Sequence, residues 1–152
     1  MCGVIGIVSK KKENKIKDVL LKSEFQSIIS HAERRGQDSS GIVFQSNEKI
    51  NIKKADWPLS QLANYNSIGK SRFAFGHSRL ITNGSKDNQP VTTTNTYVIH
   101  NGIIVNSDEI FHDEDLYRDL EIDSEIIVKL YEKYRGEGLS AIEATDLILE
   151  KC

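Results

Sequence analysis

Runs rich in β-branched and aromatic residues, each bounded by turn formers, indicate strands in the first two thirds of the chain. The opening run, Val4 to Val8, is short and apolar, and Gly6 interrupts it. An interruption of this kind is typical of a buried strand with a close backbone neighbour. A polar loop rich in turn formers is predicted over residues 83–88. The predicted strands cover residues 4–8, 40–45, 49–53, 72–78 and 96–100.

Apolar side chains at spacings of three and four residues indicate amphipathic helices elsewhere. The spacing predicts a first helix over residues 16–32, and a second that begins near Asp123 and ends at Gly136 and Gly138. A third is predicted from Ser140 onward. Strands with helices before and after them indicate an α+β fold, in which helices cover the sheets.

Length and composition describe an ordinary globular protein. The chain has 152 residues, of which 38% are hydrophobic and 28% are charged. These values favour one domain with a real core. The formal net charge of -2 gives no global reason to expect a nucleic acid or membrane partner. The lysines between positions 10 and 17 are interpreted as a solvated loop.

Targeting and cofactor signals are weak in this sequence. No apolar stretch approaches the ~20 residues of a membrane span. The apolar opening is too short for a signal peptide, and lysines follow it instead of preceding it, so a cytoplasmic protein is expected. Cys2 and Cys152 make no disulfide framework, and no Cys-x-x-Cys or His/Cys cluster is present. We therefore expect neither a cofactor nor a metal.

Cys2 is the first candidate for chemistry. Methionine aminopeptidase generally acts when the second residue is small, so removal of Met1 would make Cys2 the N-terminus. Its α-amine could then serve as general base for its own thiol, directly or through a water, with no histidine required. Retention of Met1 would exclude this mechanism. The alternative interpretation is a small buried hydrophobic residue at the start of a strand.

Two arginine-containing loops are candidates for a charged site. Arg35 lies in Arg-Arg-Gly-Gln-Asp-Ser-Ser-Gly, which joins the first helix to a strand. The alternative there is a helix C-terminus with arginines near its last carbonyls. Arg79 lies in Gly-His-Ser-Arg-Leu-Ile-Thr-Asn-Gly and offers a planar fork of donors for a carboxylate, while Thr82 and Asn83 add neutral donors. Its alternative is a surface arginine before an Asn-Gly turn.

Two further motifs follow. Asn101 and Gly102 come directly after an apolar strand, where Asn-Gly is first a turn signal. The side-chain amide of Asn101 and the backbone N–H of Gly102 could also form an oxyanion hole. Asp123 is either a helix N-cap or the anion that holds a substrate ammonium. Arg79 and Asp123 as a pair would suit an α-amino acid.

These motifs together resemble the class II glutamine amidotransferases, whose glutaminase domain uses an N-terminal nucleophile. Met-Cys-Gly-Val-Ile-Gly-Ile-Val is similar to the family's opening, and His-Asn-Gly is similar to its oxyanion segment. The arginine loops and Ile-Asp-Ser-Glu resemble three further family segments, in the family's order. Some motifs are most like those of amidophosphoribosyltransferases and others like those of glucosamine-6-phosphate synthases. At Asn83 the glucosamine-type enzymes have histidine.

The resemblance implies a role for each candidate residue. Cys2 would attack the glutamine side-chain amide to give a γ-glutamyl thioester, and Arg35 would shape the catalytic pocket. The oxyanion would be held by Asn101 and Gly102. The implied substrate-binding residues are Arg79, Thr82, Asn83, Gly102 and Asp123.

The resemblance also implies a fold and a partner. The fold is a four-layer αββα sandwich of N-terminal-nucleophile hydrolase type, here expected to be shortened at its C-terminal side because family domains are longer. Residues 1–152 are expected to form the glutaminase domain, complete or incomplete, with no synthase domain. An ammonia-accepting synthase is therefore the expected partner and glutamine the expected substrate. Two alternatives are another amidohydrolase of this type, acting on other amides, and an inactive shortened relative that serves as a glutamine-sensing or interaction module.

Overall fold

The computed structural model describes residues 2–10, 13–46, 48–80 and 87–152. Its strands are β1 (Gly3–Val8), β2 (Ser39–Ser46), β3 (Lys49–Ala55), β4 (Phe73–Arg79), β5 (Val91–Thr92) and β6 (Tyr97–Val98). Its helices are α1 (Ile16–Val19), α2 (Lys22–Glu33), α3 (Leu59–Leu62), α4 (Tyr65–Ile68), α5 (Ser107–Asp113), α6 (Glu125–Gly136) and α7 (Ala141–Lys151). No helix within these described ranges is both long enough and apolar enough to cross a membrane.

The described residues form two compact units. The first comprises those of Met1–Thr82 together with Asn88–Pro90 and Ile99–Asn101. The second comprises those of Asn83–Asp87 together with Val91–Val98 and Gly102–Cys152. The expectation of one glutaminase domain over residues 1–152 stays a prediction.

The first unit is built on an antiparallel four-stranded sheet in the order β1-β4-β2-β3. Successive side chains in a strand point to opposite faces, so each strand contributes to two different surfaces. Helices α2, α3 and α4 pack on one face. The core between helices and sheet is formed by apolar side chains that include Ile5, Ile16, Phe25, Ile29, Ile42, Phe44, Leu59, Ile68 and Ala74.

The opposite face of this sheet is also apolar but more exposed. Val4 and Val8 of β1 are 52% and 71% exposed. Beside them on β4, the rings of Phe73 and Phe75 stack with their centroids 6.1 Å apart. Exposed large apolar side chains in a row are unusual on a sheet that faces only water.

The second unit has a small core of its own. Helix α6 packs against α5, α7 and the two-stranded sheet β5-β6. One buried cluster includes Ile104, Ile110, Phe111, Ile126, Leu130, Tyr134, Ala144 and Ile148, and a smaller one contains Val91, Ile122 and Val128. Ser140 begins α7 with a capping box, in which its hydroxyl accepts the N–H of Glu143 and the Glu143 carboxylate accepts the N–H of Ser140.

The single helix predicted over residues 16–32 is two helices. Leu20 and Leu21 have extended backbone angles, so α1 ends at Val19 and α2 begins at Lys22. Two side chains stabilise the break. The Glu24 carboxylate accepts the N–H of Leu21 at 2.7 Å, and the Tyr65 hydroxyl donates to the carbonyl of Leu20 at 2.6 Å. Apolar spacing continued across the break and did not reveal it.

Candidate functional site

Cys2 lies immediately before β1 and is half-buried. The register that pairs Gly3 with Ser78 brings the start of β1 alongside the end of β4. There the Cys2 thiol donates to the carbonyl oxygen of Leu80 at 3.8 Å. The main-chain N–H of Cys2 donates to Oδ1 of Asn101 at 3.3 Å. The structure thus places the predicted nucleophile beside one of the two predicted oxyanion donors.

Arg35 also contacts the predicted nucleophile. Its Nε donates to the carbonyl oxygen of Cys2 at 2.8 Å. Arg34 is the C-terminal cap of α2, so the interpretation as a helix end holds as well. Helix α2 packs directly on β1. The end of the first long helix therefore carries an arginine to the start of the first strand.

Arg79 is the last residue of β4 and is only 3% exposed. This burial excludes the alternative interpretation as a surface arginine. Its carbonyl oxygen accepts the N–H of Asp38 at 2.9 Å, which ties the loop after Arg35 to the end of β4. Thr82 and Asn83, predicted with Arg79 as substrate-binding residues, lie outside the described residues.

In the second unit, Asp123 is 6% exposed and already accepts several hydrogen bonds. Its Oδ2 accepts the N–H of Ile104 at 2.7 Å, while Oδ1 accepts the N–H and hydroxyl of Ser124. The residue at the N-cap position of α6 is Ser124, so the N-cap interpretation of Asp123 was one residue out.

Gly102 is exposed and is the first residue of its segment of the second unit. Its neighbour Ile104 is the residue that Asp123 holds. Two of the predicted site residues in this unit, Gly102 and Asp123, are thus linked through one short segment of chain. Within the first unit, the structure brings Cys2, Arg35 and Asn101 together by direct contacts.

His77 was not singled out from the sequence. It is fully buried in β4, and both ring nitrogens lack a hydrogen-bond partner among the described residues. Burial lowers the pKa of His77 to about 4, and the positive charges of Arg79 and His100 act in the same direction. The imidazole is therefore neutral at pH 7, next to the residue predicted to bind a carboxylate.

Gln89 was also missed, because the predicted polar loop ended at residue 88 and no local pattern marks a single glutamine. It is 5% exposed and lies in the first unit. Its Nε2 donates to the carbonyl oxygen of His100 at 2.9 Å, and its Oε1 accepts the N–H of His100 at 2.7 Å. No group of three side chains suited to hold a metal occurs within the described part of the chain.

Comparison with curated proteins gives a consistent set of relatives. Glutamine–fructose-6-phosphate aminotransferase (isomerizing) from Sulfolobus acidocaldarius is 31% identical over 95% of this chain and 25% of its own length. The Campylobacter jejuni protein of the same name is 32% identical over 95% of this chain and 24% of its own. The chain thus spans about a quarter of the length of the curated relatives that it matches. No family model matches the chain.

Among solved structures, glutamine phosphoribosylpyrophosphate amidotransferase from B. subtilis matches with a TM-score of 0.70. The match covers 98% of this chain and 32% of the other, at 22% sequence identity. This likeness establishes the fold. The predicted α+β fold of N-terminal-nucleophile hydrolase type is confirmed.

Proposed function

Because the chain is a relative of the class II glutamine amidotransferases, we propose that it is a glutaminase module with Cys2 as its nucleophile. The observation that supports this most directly is the contact between the main-chain nitrogen of Cys2 and Oδ1 of Asn101. A nucleophile and a polar amide from distant parts of the sequence meet at the start of β1. The Arg35 contact with the Cys2 carbonyl fixes the same residue from another side.

The reaction begins with removal of Met1, which converts the nitrogen of Cys2 into a free α-amine. This amine is partly unprotonated at neutral pH and takes the thiol proton. The sulfur attacks the side-chain amide carbon of glutamine, and a tetrahedral oxyanion forms. As the intermediate collapses, the amine returns the proton to the leaving nitrogen, which departs as ammonia. Water then attacks the γ-glutamyl thioester, which releases glutamate and restores the thiol.

Oxyanion stabilisation is assigned to Asn101 and Gly102. An amide that accepts through Oδ1 keeps its Nδ2 hydrogens for a different partner. In the proposal, Oδ1 of Asn101 orients the Cys2 amine while Nδ2 donates to the oxyanion. The backbone N–H of Gly102 is the second donor. Loss of one such donor typically lowers kcat by about 10²–10³-fold.

Substrate binding is assigned by side-chain chemistry. Arg79 would bind the α-carboxylate of glutamine, with Thr82 and Asn83 as neutral partners. Asp123 would bind the α-ammonium, with help from the Gly102 backbone. The burial of Arg79 and Asp123 supports these assignments, because desolvated charges gain more from a paired substrate charge than exposed ones do.

Ammonia released in this way needs an acceptor. We assign it to a synthase domain or subunit that residues 1–152 do not include, as the names and lengths of the aminotransferase relatives suggest. The exposed apolar face with Val4, Val8 and the β3 residues Ile50 and Ile52 supports a protein partner. When the chain is co-purified with the ammonia-accepting synthase, we expect the two to form a complex in which the synthase covers this face. Failure to form any such complex would contradict the assignment.

The experiment that tests the glutaminase proposal combines intact mass with ammonia release. Wild type, Cys2→Ala and the control Cys152→Ala are purified and assayed with glutamine and with a simple acyl amide. We expect a mass that lacks one methionine, and ammonia release from glutamine that only Cys2→Ala abolishes. Retention of Met1, or no ammonia release with and without candidate synthases, would favour the glutamine-sensing or interaction module. Equal activity in Cys2→Ala would refute Cys2 as the nucleophile. Faster release from the acyl amide would indicate a different amidohydrolase.

A further inference from the structure

The side chain of Gln89 holds the backbone of His100 with two hydrogen bonds in opposite directions. Nε2 donates to the His100 carbonyl at 2.9 Å, and Oε1 accepts the His100 N–H at 2.7 Å. A backbone N–H can only donate and a carbonyl can only accept, so this pair fixes the orientation of the glutamine amide. The arrangement reproduces the hydrogen bonding that a neighbouring strand would provide.

The backbone of Gln89 is itself held against the sheet. Gly41 of β2 pairs with His77 of β4, two central strands of the first unit. A Cβ at position 41 would lie 1.8 Å from the carbonyl oxygen of Gln89. The preceding residue, Asn88, donates from Nδ2 to Asp56 at 2.7 Å. The glutamine amide therefore extends from a backbone segment that packs closely against the sheet.

His100 is followed directly by Asn101, whose Oδ1 accepts the N–H of Cys2. A contiguous path thus runs from β2 through Gln89 and the His100 backbone to the amide beside Cys2. We infer that Gln89 is a positioning residue, which fixes the His100 backbone so that the Asn101 amide stays in place for the oxyanion. This inference rests on the proposed glutaminase function.

Substitutions at position 89 remove one or both of these hydrogen bonds. Alanine provides neither hydrogen bond. Glutamate keeps the shape and the acceptor, but when ionised it has no donor for the His100 carbonyl. Misplacement of a catalytic group weakens its interaction with the transition state more than with bound substrate. We therefore expect kcat to fall while KM changes little.

The first test compares Gln89→Ala and Gln89→Glu with Gln26→Ala, which removes an exposed glutamine of α2 in the same unit. The readouts are kcat and KM for glutamine hydrolysis. We expect both Gln89 variants to lower kcat about ten- to a hundredfold with KM changed less than about twofold, since small misplacements have effects of up to about a hundredfold. Gln26→Ala should match wild type. Unchanged kcat in both Gln89 variants would overturn the inference.

A double-mutant cycle separates positioning from a general loss of folding. In an Asn101→Ala background, Gln89→Ala should change kcat by less than about twofold, because residues that act through one another are not additive. If Gln89→Ala lowered kcat by the same factor in both backgrounds, Gln89 would have a merely structural role. Gln89→Glu serves in the same cycle if Gln89→Ala does not fold.

An activity-independent readout covers the case in which wild type has no glutaminase activity and the proposed function fails. The side-chain amide signals of Asn101 in NMR spectra report its environment directly. They should shift or broaden in Gln89→Ala and stay as in wild type in Gln26→Ala. Signals unchanged in Gln89→Ala would overturn the positioning inference whatever the activity.

Discussion

At the scale of single residues, Cys2 is held through its backbone rather than through its thiol. Arg35 donates to its carbonyl oxygen, and Asn101 accepts from its nitrogen. Within the described part of the chain, the thiol contacts the carbonyl of Leu80 at 3.8 Å, and sulfur is a weak donor. In the proposed reaction, the Cys2 nitrogen is the base and is held in place, while the thiol is only weakly held and can reach a substrate carbonyl. This arrangement supports the proposed role of Cys2 as nucleophile.

His77 provides a prediction on the pH dependence of stability. The unfolded chain protonates this imidazole near pH 6.5, whereas the folded chain does so only near pH 4. The neutral buried imidazole therefore contributes its full stabilisation to the folded state above pH 6.5, and this contribution is lost as the pH falls towards 4. Because one proton taken up on unfolding is worth about 1.4 kcal/mol per pH unit, the free energy of unfolding should fall by about 3 kcal/mol over this range.

Urea unfolding of wild type and His77→Asn at several pH values measures this contribution. In His77→Asn, the free energy of unfolding should fall much less between pH 6.5 and 4 than in wild type. Replacement of the exposed His112 by asparagine should leave the wild-type fall unchanged. Identical slopes for wild type and His77→Asn would contradict the assignment to His77.

At the scale of elements, long regular patterns were predicted well and short ones were not. Strands β1 to β4 lie within about two residues of the predicted ranges, since runs rich in β-branched and aromatic residues and bounded by turn formers are a strong signal. Helices α6 and α7 were also predicted. The four-residue helices α3 and α4 and the two-residue strand β5 were missed, because periodicity cannot show in so few residues. Such short elements depend on tertiary packing.

The sequence selected residues for the candidate site, and their roles stay predictions, but it could not give the contacts among them. Side-chain chemistry and motif order selected Cys2, Arg35 and Asn101, and the structure brings these three together. That Arg35 would bind the carbonyl of Cys2 depends on how α2 packs against β1, which no local pattern encodes. Gln89 acts through backbone atoms of a residue eleven positions away, so its residue type alone gave no signal.

Packing between α2 and β1 gives the element-scale prediction. A Cβ on Gly3 would lie 2.3 Å from the carbonyl oxygen of Ala32, whereas a Cβ on Gly6 in the same strand would meet no described atom within 4 Å. The close backbone neighbour that was predicted at Gly6 therefore lies at Gly3, and the prediction for Gly6 is wrong. We expect Gly3→Ala to lower the free energy of unfolding by about 1–3 kcal/mol, as overpacking does. Gly6→Ala should be neutral, or stabilising by at most about 1 kcal/mol. Urea denaturation measures the free energy of unfolding of both variants. Equal values for Gly3→Ala and Gly6→Ala would show that the close approach of Ala32 does not restrict the side chain at position 3.

At the scale of the whole molecule, the described residues form two compact units, and each unit contains some of the residues that have proposed roles. Cys2, Arg35, Arg79 and Asn101 belong to the first, whereas Gly102 and Asp123 belong to the second. Each unit has its own buried core.

In the proposed reaction, glutamine is hydrolysed through a thioester on Cys2, and this intermediate can be trapped. The chain is mixed with glutamine, quenched in acid within its first turnovers and examined by peptide mass spectrometry. We expect an N-terminal peptide that begins with Cys2 and gains the mass of glutamine less ammonia. No such gain is expected in Cys2→Ala or on Cys152. An adduct elsewhere, or ammonia release with Met1 still attached, would rule out Cys2 as the nucleophile.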